Sequence, residues 1–398
     1  MDPLGSADGA PEVFLLTVDA GGGHRAAANA LLAARDERGS AWRFRVANLQ
    51  EVLAPLDVLK RATGISLEEG YNLLLRRRWT LLLGPLLRLL HLGIAARRRS
   101  LVSGFAQHLA ARPPALVLSV VPNFNGVVRD AVTQACPGVP VFVLLTDFAD
   151  LPPGFWIEPG LDRAIVATDR AQAQARALGL SDDRIARVSG MVLHPRFHRA
   201  TEPGLRARVR DELRMSADDF AVLLLFGGKG SPEMEPLARA LLARSPRWRV
   251  MALCGDNPAL LARLGPWSAR ADGRLDAFGF TNRVADYMAA ADLLVTKPGP
   301  GSLAEAFAAR LPVVVTRNRH TIPQERFNTE LVAERGLGVV VRDRREIPDV
   351  VARLAESPQE LRLLRANLEA LPENQAVYEV IEIITAAVGG RLRAAMLR

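Results

Sequence analysis

The sequence predicts an α/β protein of two Rossmann-like domains, each a parallel sheet covered by helices, facing one another across a cleft. Three observations predict it. A chain of 398 residues is long for one core, since domains commonly run to about 100–200 residues. Short apolar runs recur with helical segments between them, and strands that alternate with helices build α/β layers. Several of these runs end in loops rich in glycine or polar residues, and in open α/β sheets the ligand sits beyond the carboxyl ends of the strands.

The first strand is expected at residues 13–18, followed by an alanine-rich helix at 26–34. Further strands are expected at 116–121, 141–145 and 164–167, then at 221–226, 249–253, 293–296, 313–315 and 339–341. Each is rich in Val, Ile or Leu and ends near Gly, Pro, Asp or Asn, as buried parallel strands do. Between residues 196 and 219 the composition turns charged, with Glu202-Pro203-Gly204 ahead of a fresh strand, and the domain boundary is expected there. The division is then 1–200, 201–374, and a C-terminal helix at 375–398 that packs back toward the first domain.

The formal charge of +8 is carried almost wholly by arginine, because lysine occurs only at Lys60, Lys229 and Lys297. Excess positive charge favours an anionic partner. Aromatic and basic residues do not interleave as a stacking platform requires, so nucleic acid is not expected, and anionic lipid and nucleotide phosphate remain. Cys136 and Cys254 are isolated and lack metal-ligand spacing, so neither a metal site nor a disulfide framework is expected. Residues 1–11 carry acidic groups and no basic segment ahead of an apolar one, which does not read as a secretory signal.

The first strand leads into Asp19-Ala20-Gly21-Gly22-Gly23-His24-Arg25. No Gly-Lys-Ser/Thr closes this loop, so it is not a P-loop. Its glycines, Gly22 and Gly23 among them, let backbone approach a ligand, and a helix start favours anionic groups. His24 sits at that junction, where a neutral imidazole can take a proton from an attacking hydroxyl. The plainer alternative is a tight turn with a histidine capping its own loop.

After the strand at 293–296 comes Lys297-Pro298-Gly299-Pro300-Gly301-Ser302-Leu303-Ala304-Glu305. Gly299, Gly301 and Ser302 open a helix whose free N–H groups can hold a diphosphate, and Glu305 lies one turn on, where a carboxylate can accept from both ribose hydroxyls. Ser302 and Glu305 also spell a capping box, the structural alternative. The loop after 313–315 carries Gln324 and Glu325, with donor and acceptor groups suited to sugar hydroxyls, and Asn328 one turn further on to support them.

Together these motifs resemble the monogalactosyldiacylglycerol synthase and processive diacylglycerol glucosyltransferase group of glycosyltransferase family 28. The resemblance rests on Gly21 to Arg25, Thr146-Asp147-Phe148 with Trp156 and Asp162, Gly227-Gly228, Lys297 to Glu305, and Pro323-Gln324-Glu325 with Asn328. It implies the two-domain GT-B fold, with an acceptor- and membrane-binding first domain and a UDP-sugar-binding second one. It also implies inversion at the anomeric carbon, UDP-glucose or UDP-galactose as donor substrate, diacylglycerol or a related lipid as acceptor, and no bound metal or other cofactor. His24 matches the family's general base, with Asp147 either orienting it, serving as base itself, or merely capping a helix. Gly228, Gly299, Gly301 and Ser302 match the nucleotide loops, Glu305 the ribose ligand, Gln324 and Glu325 the hexose readers, and Phe280 the position where backbone meets uracil. The family's Pro-Gly-Gln-Glu lacks its glycine here, which bears on sugar identity more than on the reaction.

Arg76 to Arg78 and Arg97 to Arg99 bracket a Leu-rich run at 79–96 that Gly84, Pro85, Arg88 and His91 interrupt. A spanning helix needs about 20 largely uninterrupted apolar residues, so this segment reads as interfacial, with Trp79 and its leucines entering an anionic membrane surface. The expected location is cytoplasmic, peripheral on the inner face of the plasma membrane. Two other activities fit the same architecture: a UDP-N-acetylglucosaminyltransferase acting on a polyprenyl-diphosphate sugar, and a UDP-sugar 2-epimerase-like isomerase.

Overall fold

The computed structural model describes residues 9–19, 22–53, 83–199, 202–319 and 321–396. The chain divides into two compact units: Met1–His194 with Ile322–Gln324 and Gln375–Arg398, and Pro195–Thr321 with Glu325–Asn374.

Unit 1 holds a parallel six-stranded sheet of β1 (Glu12–Thr17), β2 (Arg43–Asn48), β3 (Leu116–Ser119), β4 (Val141–Leu144), β5 (Arg163–Val166) and β6 (Ile185–Arg187), in the order β2-β1-β3-β4-β5-β6. Every residue of β1 is buried, because helices cover both faces of the sheet. Alternation divides its side chains between two cores. Val13 and Leu15 pack with Leu31 of α1 (Gly23–Arg38) and with Val380 and Ile384 of the C-terminal helix α15 (Ala376–Met396). Phe14 and Leu16 pack on the opposite face with Val52 of the short helix α2 (Leu49–Leu53), Phe105 of α4 (Arg98–Ala110) and Val128 of α5 (Asn125–Ala135).

Unit 2 holds a second parallel six-stranded sheet: β7 (Phe220–Leu225), β8 (Trp248–Gly255), β9 (Leu275–Gly279), β10 (Leu293–Thr296), β11 (Val313–Thr316) and β12 (Gly338–Val341). Its order is β12-β11-β10-β7-β8-β9. Around it lie α7 (Leu205–Glu212), α8 (Met234–Leu242), α9 (Pro258–Arg270), α10 (Val284–Ala290), α11 (Pro300–Ala308), α12 (Pro323–Glu334), α13 (Ile347–Glu356) and α14 (Pro358–Glu369).

In each sheet the chain reverses its direction of travel once, beside the first strand of the unit. The reversal falls between β1 and β3 in unit 1 and between β7 and β10 in unit 2. Loops leaving adjacent strands at such a point part to opposite faces and open a crevice, so each unit offers one place where a ligand fits.

Three strands lie outside the apolar runs of the sequence, and all three are sheet edges: β2, β6 and β9. An edge strand needs fewer apolar residues, and β2 reads Arg-Phe-Arg-Val-Ala-Asn with one buried position. The charged stretch at 196–219 contains α7, so it is not a bare linker.

Within the basic, Leu-rich segment, α3 (Leu83–Ala96) is helical, with Leu89 and Leu92 64% and 67% exposed and Ile94 turned into the core. Arg97 and Arg99 are exposed as well. Arg76 to Arg78 and Trp79 lie outside the described residues. No helix among the described residues is long and apolar enough to cross a membrane.

Candidate active site

In unit 1 the chain leaves β1 and enters α1 at once. Gly22 is the N-cap, at φ 87°, a left-handed conformation that glycine adopts without steric cost. The helix starts at Gly23, earlier than the alanine pattern predicts, so His24 lies in its first turn rather than in the loop before it. Among the described residues an added Cβ would meet nothing within 4 Å at Gly22 or Gly23, so none of them blocks the approach of a ligand to this backbone.

His24 Nδ1 lies 3.0 Å from Thr146 Oγ1, at the end of β4, and its ring packs 5.6 Å from that of Trp156. Dense surroundings lower its pKa from 6.5 to about 4, burial outweighing an interaction with the Val120 backbone that favours the cation. The imidazole is only partly covered, so crowding rather than complete occlusion keeps it neutral. With a proton on Nδ1 the ring donates to Thr146, and without one Nδ1 accepts from the Thr146 hydroxyl.

Asp147 is not a helix cap. It accepts the Trp156 indole N–H at 2.8 Å, in a loop followed by no helix until α6 (Asp169–Ala177). Trp156 therefore touches His24 with its ring and Asp147 with its N–H. Its own loop is braced: buried Asp150 accepts from the Gly154 and Trp156 N–H groups at 2.8 and 2.6 Å, and Asn125 donates to the Trp156 carbonyl at 2.8 Å.

In unit 2 the loops after β7 and β10 meet at the reversal. Gly227, at φ 78°, faces Lys297, whose Cε would lie 3.2 Å from an added Cβ. Gly228 is pinned from below, its carbonyl accepting from the Asp256 N–H at 2.8 Å and pressing so close to Gly255 that an added Cβ there would lie 2.2 Å from the oxygen.

Gly299 is the N-cap of α11, Pro300 occupies the first turn, and no side chain caps the helix. Ser302 is thus inside the helix and not its cap, which removes the capping-box alternative. Helix geometry leaves the Gly301 and Ser302 N–H groups without a preceding carbonyl, and Gly301 has open space around it.

Glu305 follows one turn later, and burial raises its pKa from 4.5 to about 7 against the charge of Arg196, which lowers it. It too is partly exposed, so it lies under the surface but in reach of a ligand. Glu325 is also raised, by burial first and against Lys297, whose Nζ lies 3.9 Å from Oε1. Gln324 is buried with no hydrogen-bond partner for Oε1 among the described residues, and Phe280, just beyond β9, is 75% exposed.

Asn328 corrects one expectation. Expected to support Gln324 and Glu325, it is seen to donate through Nδ2 to the Pro298 carbonyl at 2.8 Å, which holds the loop that starts α11. Sequence reasoning counted Thr146 and Trp156 among the motif residues of the resemblance without giving either a role in the site, and it passed over Gly255.

A nucleotide-type sheet with an anion-binding helix start and a ribose-suited carboxylate, on a chain with a second such sheet, defines a GT-B glycosyltransferase. The family model of the glycosyltransferase family 28 C-terminal domain matches residues 222–382. The crystal structure of Anabaena HepE in complex with UDP and glucose shares the fold, with a TM-score of 0.54 at 16% identity over 96% of this chain and 100% of that one. A probable monogalactosyldiacylglycerol synthase 2, chloroplastic, of Oryza sativa subsp. japonica is 30% identical over 94% of this chain and 80% of its own length. Monogalactosyldiacylglycerol synthase 1, chloroplastic, of Arabidopsis thaliana is 28% identical over 94% of this chain and 70% of its own. The chain belongs to glycosyltransferase family 28, in the group of the monogalactosyldiacylglycerol synthases.

Proposed function

We propose that this protein transfers a hexose, galactose or glucose, from a UDP-sugar to diacylglycerol or a related membrane lipid, with inversion at the anomeric carbon. The observation that carries the reading is similarity over nearly the whole chain to proteins named for that glycolipid synthesis.

The chemistry assigns each unit a part. The first turn of α11 meets the donor diphosphate with the Gly301 and Ser302 N–H groups, and Lys297 adds a positive charge beside it. As the glycosidic bond breaks, charge builds on the leaving UDP, and these fixed donors stabilise it. Glu305 accepts from the ribose hydroxyls, Gln324 and Glu325 read the hexose, and the Phe280 backbone meets uracil. His24 takes the proton of the attacking hydroxyl. A base of pKa about 4 is weak at neutral pH, and an anion near it raises that value, a role suited to Asp147 through Trp156.

Leu89 and Leu92 of α3, with Arg97 and Arg99 just beyond its end, give this stretch the composition of a segment that lies in an anionic membrane surface, where its acceptor resides. That supports a peripheral location on the inner face of the plasma membrane.

The test offers purified protein UDP-hexose labelled in the sugar together with diacylglycerol or a polyprenyl-diphosphate sugar in mixed micelles. Label should enter the organic phase only with diacylglycerol. Transfer to the polyprenyl acceptor alone, or interconversion of free UDP-sugars with no acceptor, would replace this reading with one of the other two activities.

A further inference from the structure

The turn that opens unit 2, Pro195–Arg199, packs against both α10 and α11, with Phe197 buried beneath it. It therefore touches the two helices that follow the loops assigned to the donor nucleotide. From this turn Arg196 reaches Asn282, donating through Nη1 to the backbone carbonyl at 2.8 Å and to the side-chain oxygen at 3.2 Å. Asn282 closes the segment Gly279-Phe280-Thr281-Asn282 at the end of β9, and Phe280 stands exposed at its tip. The turn that carries Arg196 packs on α11, the helix that carries Glu305, and the guanidinium charge acts on that carboxylate. Other charges nearby are drawn elsewhere: Lys297 to Glu325, and Arg283 to Asp286 and Glu212 at 2.8 and 2.6 Å.

We infer that Arg196 is a positioning residue of the donor site, tying the loop that meets the base to the carboxylate that meets the ribose. The inference rests on the proposed donor site. Two acceptors on one residue fix that loop at its backbone, and a planar fork holds such a pair better than a flexible ammonium does. A positive charge beside Glu305 favours its ionised form, the form that accepts two hydroxyl hydrogens.

The test measures UDP-hexose affinity from pH 5.5 to 9 by calorimetry for the full-length protein and for Arg196→Ala and Arg196→Lys. Removing the charge should move the midpoint of the pH profile up by about one unit. Affinity of the Ala variant should then fall about tenfold at pH 7 and about twofold at pH 9, the residual loss coming from the freed loop. The Lys variant keeps the charge, so its midpoint should stay within about 0.3 units of wild type while affinity falls about twofold throughout.

An Ala variant whose midpoint is unmoved, whether its affinity is unchanged or uniformly reduced, would overturn the inference. So would a Lys variant whose midpoint moves as far as that of Ala. Wild-type protein that binds no UDP-hexose would strike the proposed function itself, a result distinct from normal binding with an unmoved midpoint.

Discussion

Replacing Glu305 by glutamine should make the protein more stable at alkaline pH while it loses the pH dependence of donor binding. The folded carboxyl titrates near 7 against 4.5 for an unconstrained one, so the folded state holds a proton that the unfolded chain releases between those values. A raised carboxyl pKa contributes stability that is fully present below pH 4.5 and is lost as pH rises through 7. The difference corresponds to about 3 kcal/mol, an upper bound because the side chain is partly exposed. Glutamine carries no such penalty, so urea unfolding at pH 8 should show Glu305→Gln more stable than wild type by up to about 3 kcal/mol, with little difference at pH 4.5.

Binding should respond in the opposite sense. If the ionised carboxylate accepts the ribose hydroxyls, wild-type affinity for UDP-hexose should be about tenfold weaker at pH 6 than at pH 8, because only about a tenth of the groups are ionised at the lower value. UDP-hexose suits the assay because its diphosphate is esterified at both ends and does not titrate in this range. Glu305→Gln should bind more weakly at pH 8 with a flat profile. An equally steep profile in the variant, or a stability difference that does not change with pH, would refute the placing of Glu305.

His24→Ala should lower turnover by about 100- to 10,000-fold and leave UDP affinity within about twofold, measured by steady-state kinetics beside calorimetry; equal losses in both would remove His24 from its role as base. Asp147→Asn keeps an oxygen for the Trp156 indole, so its melting temperature should change little while turnover falls about tenfold or more, and unchanged turnover would leave Asp147 a structural partner only. Asn328→Ala strips the buried Pro298 carbonyl of its donor and should cost about 1–3 kcal/mol of stability while weakening UDP binding, checked by denaturant unfolding and titration. Gly255→Ala forces a methyl group against the Gly228 carbonyl from a left-handed backbone, φ 60°, and should lower both stability and donor affinity, read from thermal melts with and without UDP.

What the sequence made legible was local. The buried strands announce themselves as apolar runs because both faces of each are covered, and the glycine loop and the start of α11 are contiguous stretches whose chemistry can be read in place. Three of the four edge strands were not legible, since β2 and β9, for example, carry charged or polar residues, whereas the edge strand β12 showed through its run of valines. Contacts between distant segments were not legible either. Nothing near Asn328 in the sequence says that α12 will bring it to Pro298, and nothing near Asp147 says that it will meet an indole nine positions on. The capping-box pattern of Ser302 and Glu305 illustrates the converse: the letters were right for a cap, but Pro300 and Gly299 start the helix three residues earlier.

The central claim is direct displacement at the anomeric carbon by a lipid hydroxyl, with UDP leaving from the α11 helix start. Proton NMR of the lipid product formed from an α-linked UDP-hexose and diacylglycerol tests it most directly. The expected product is a β-linked hexosyl diacylglycerol that disappears with His24→Ala. An α-linked glycolipid, or hexose recovered only as free sugar or as an isomerised UDP-sugar, would contradict it.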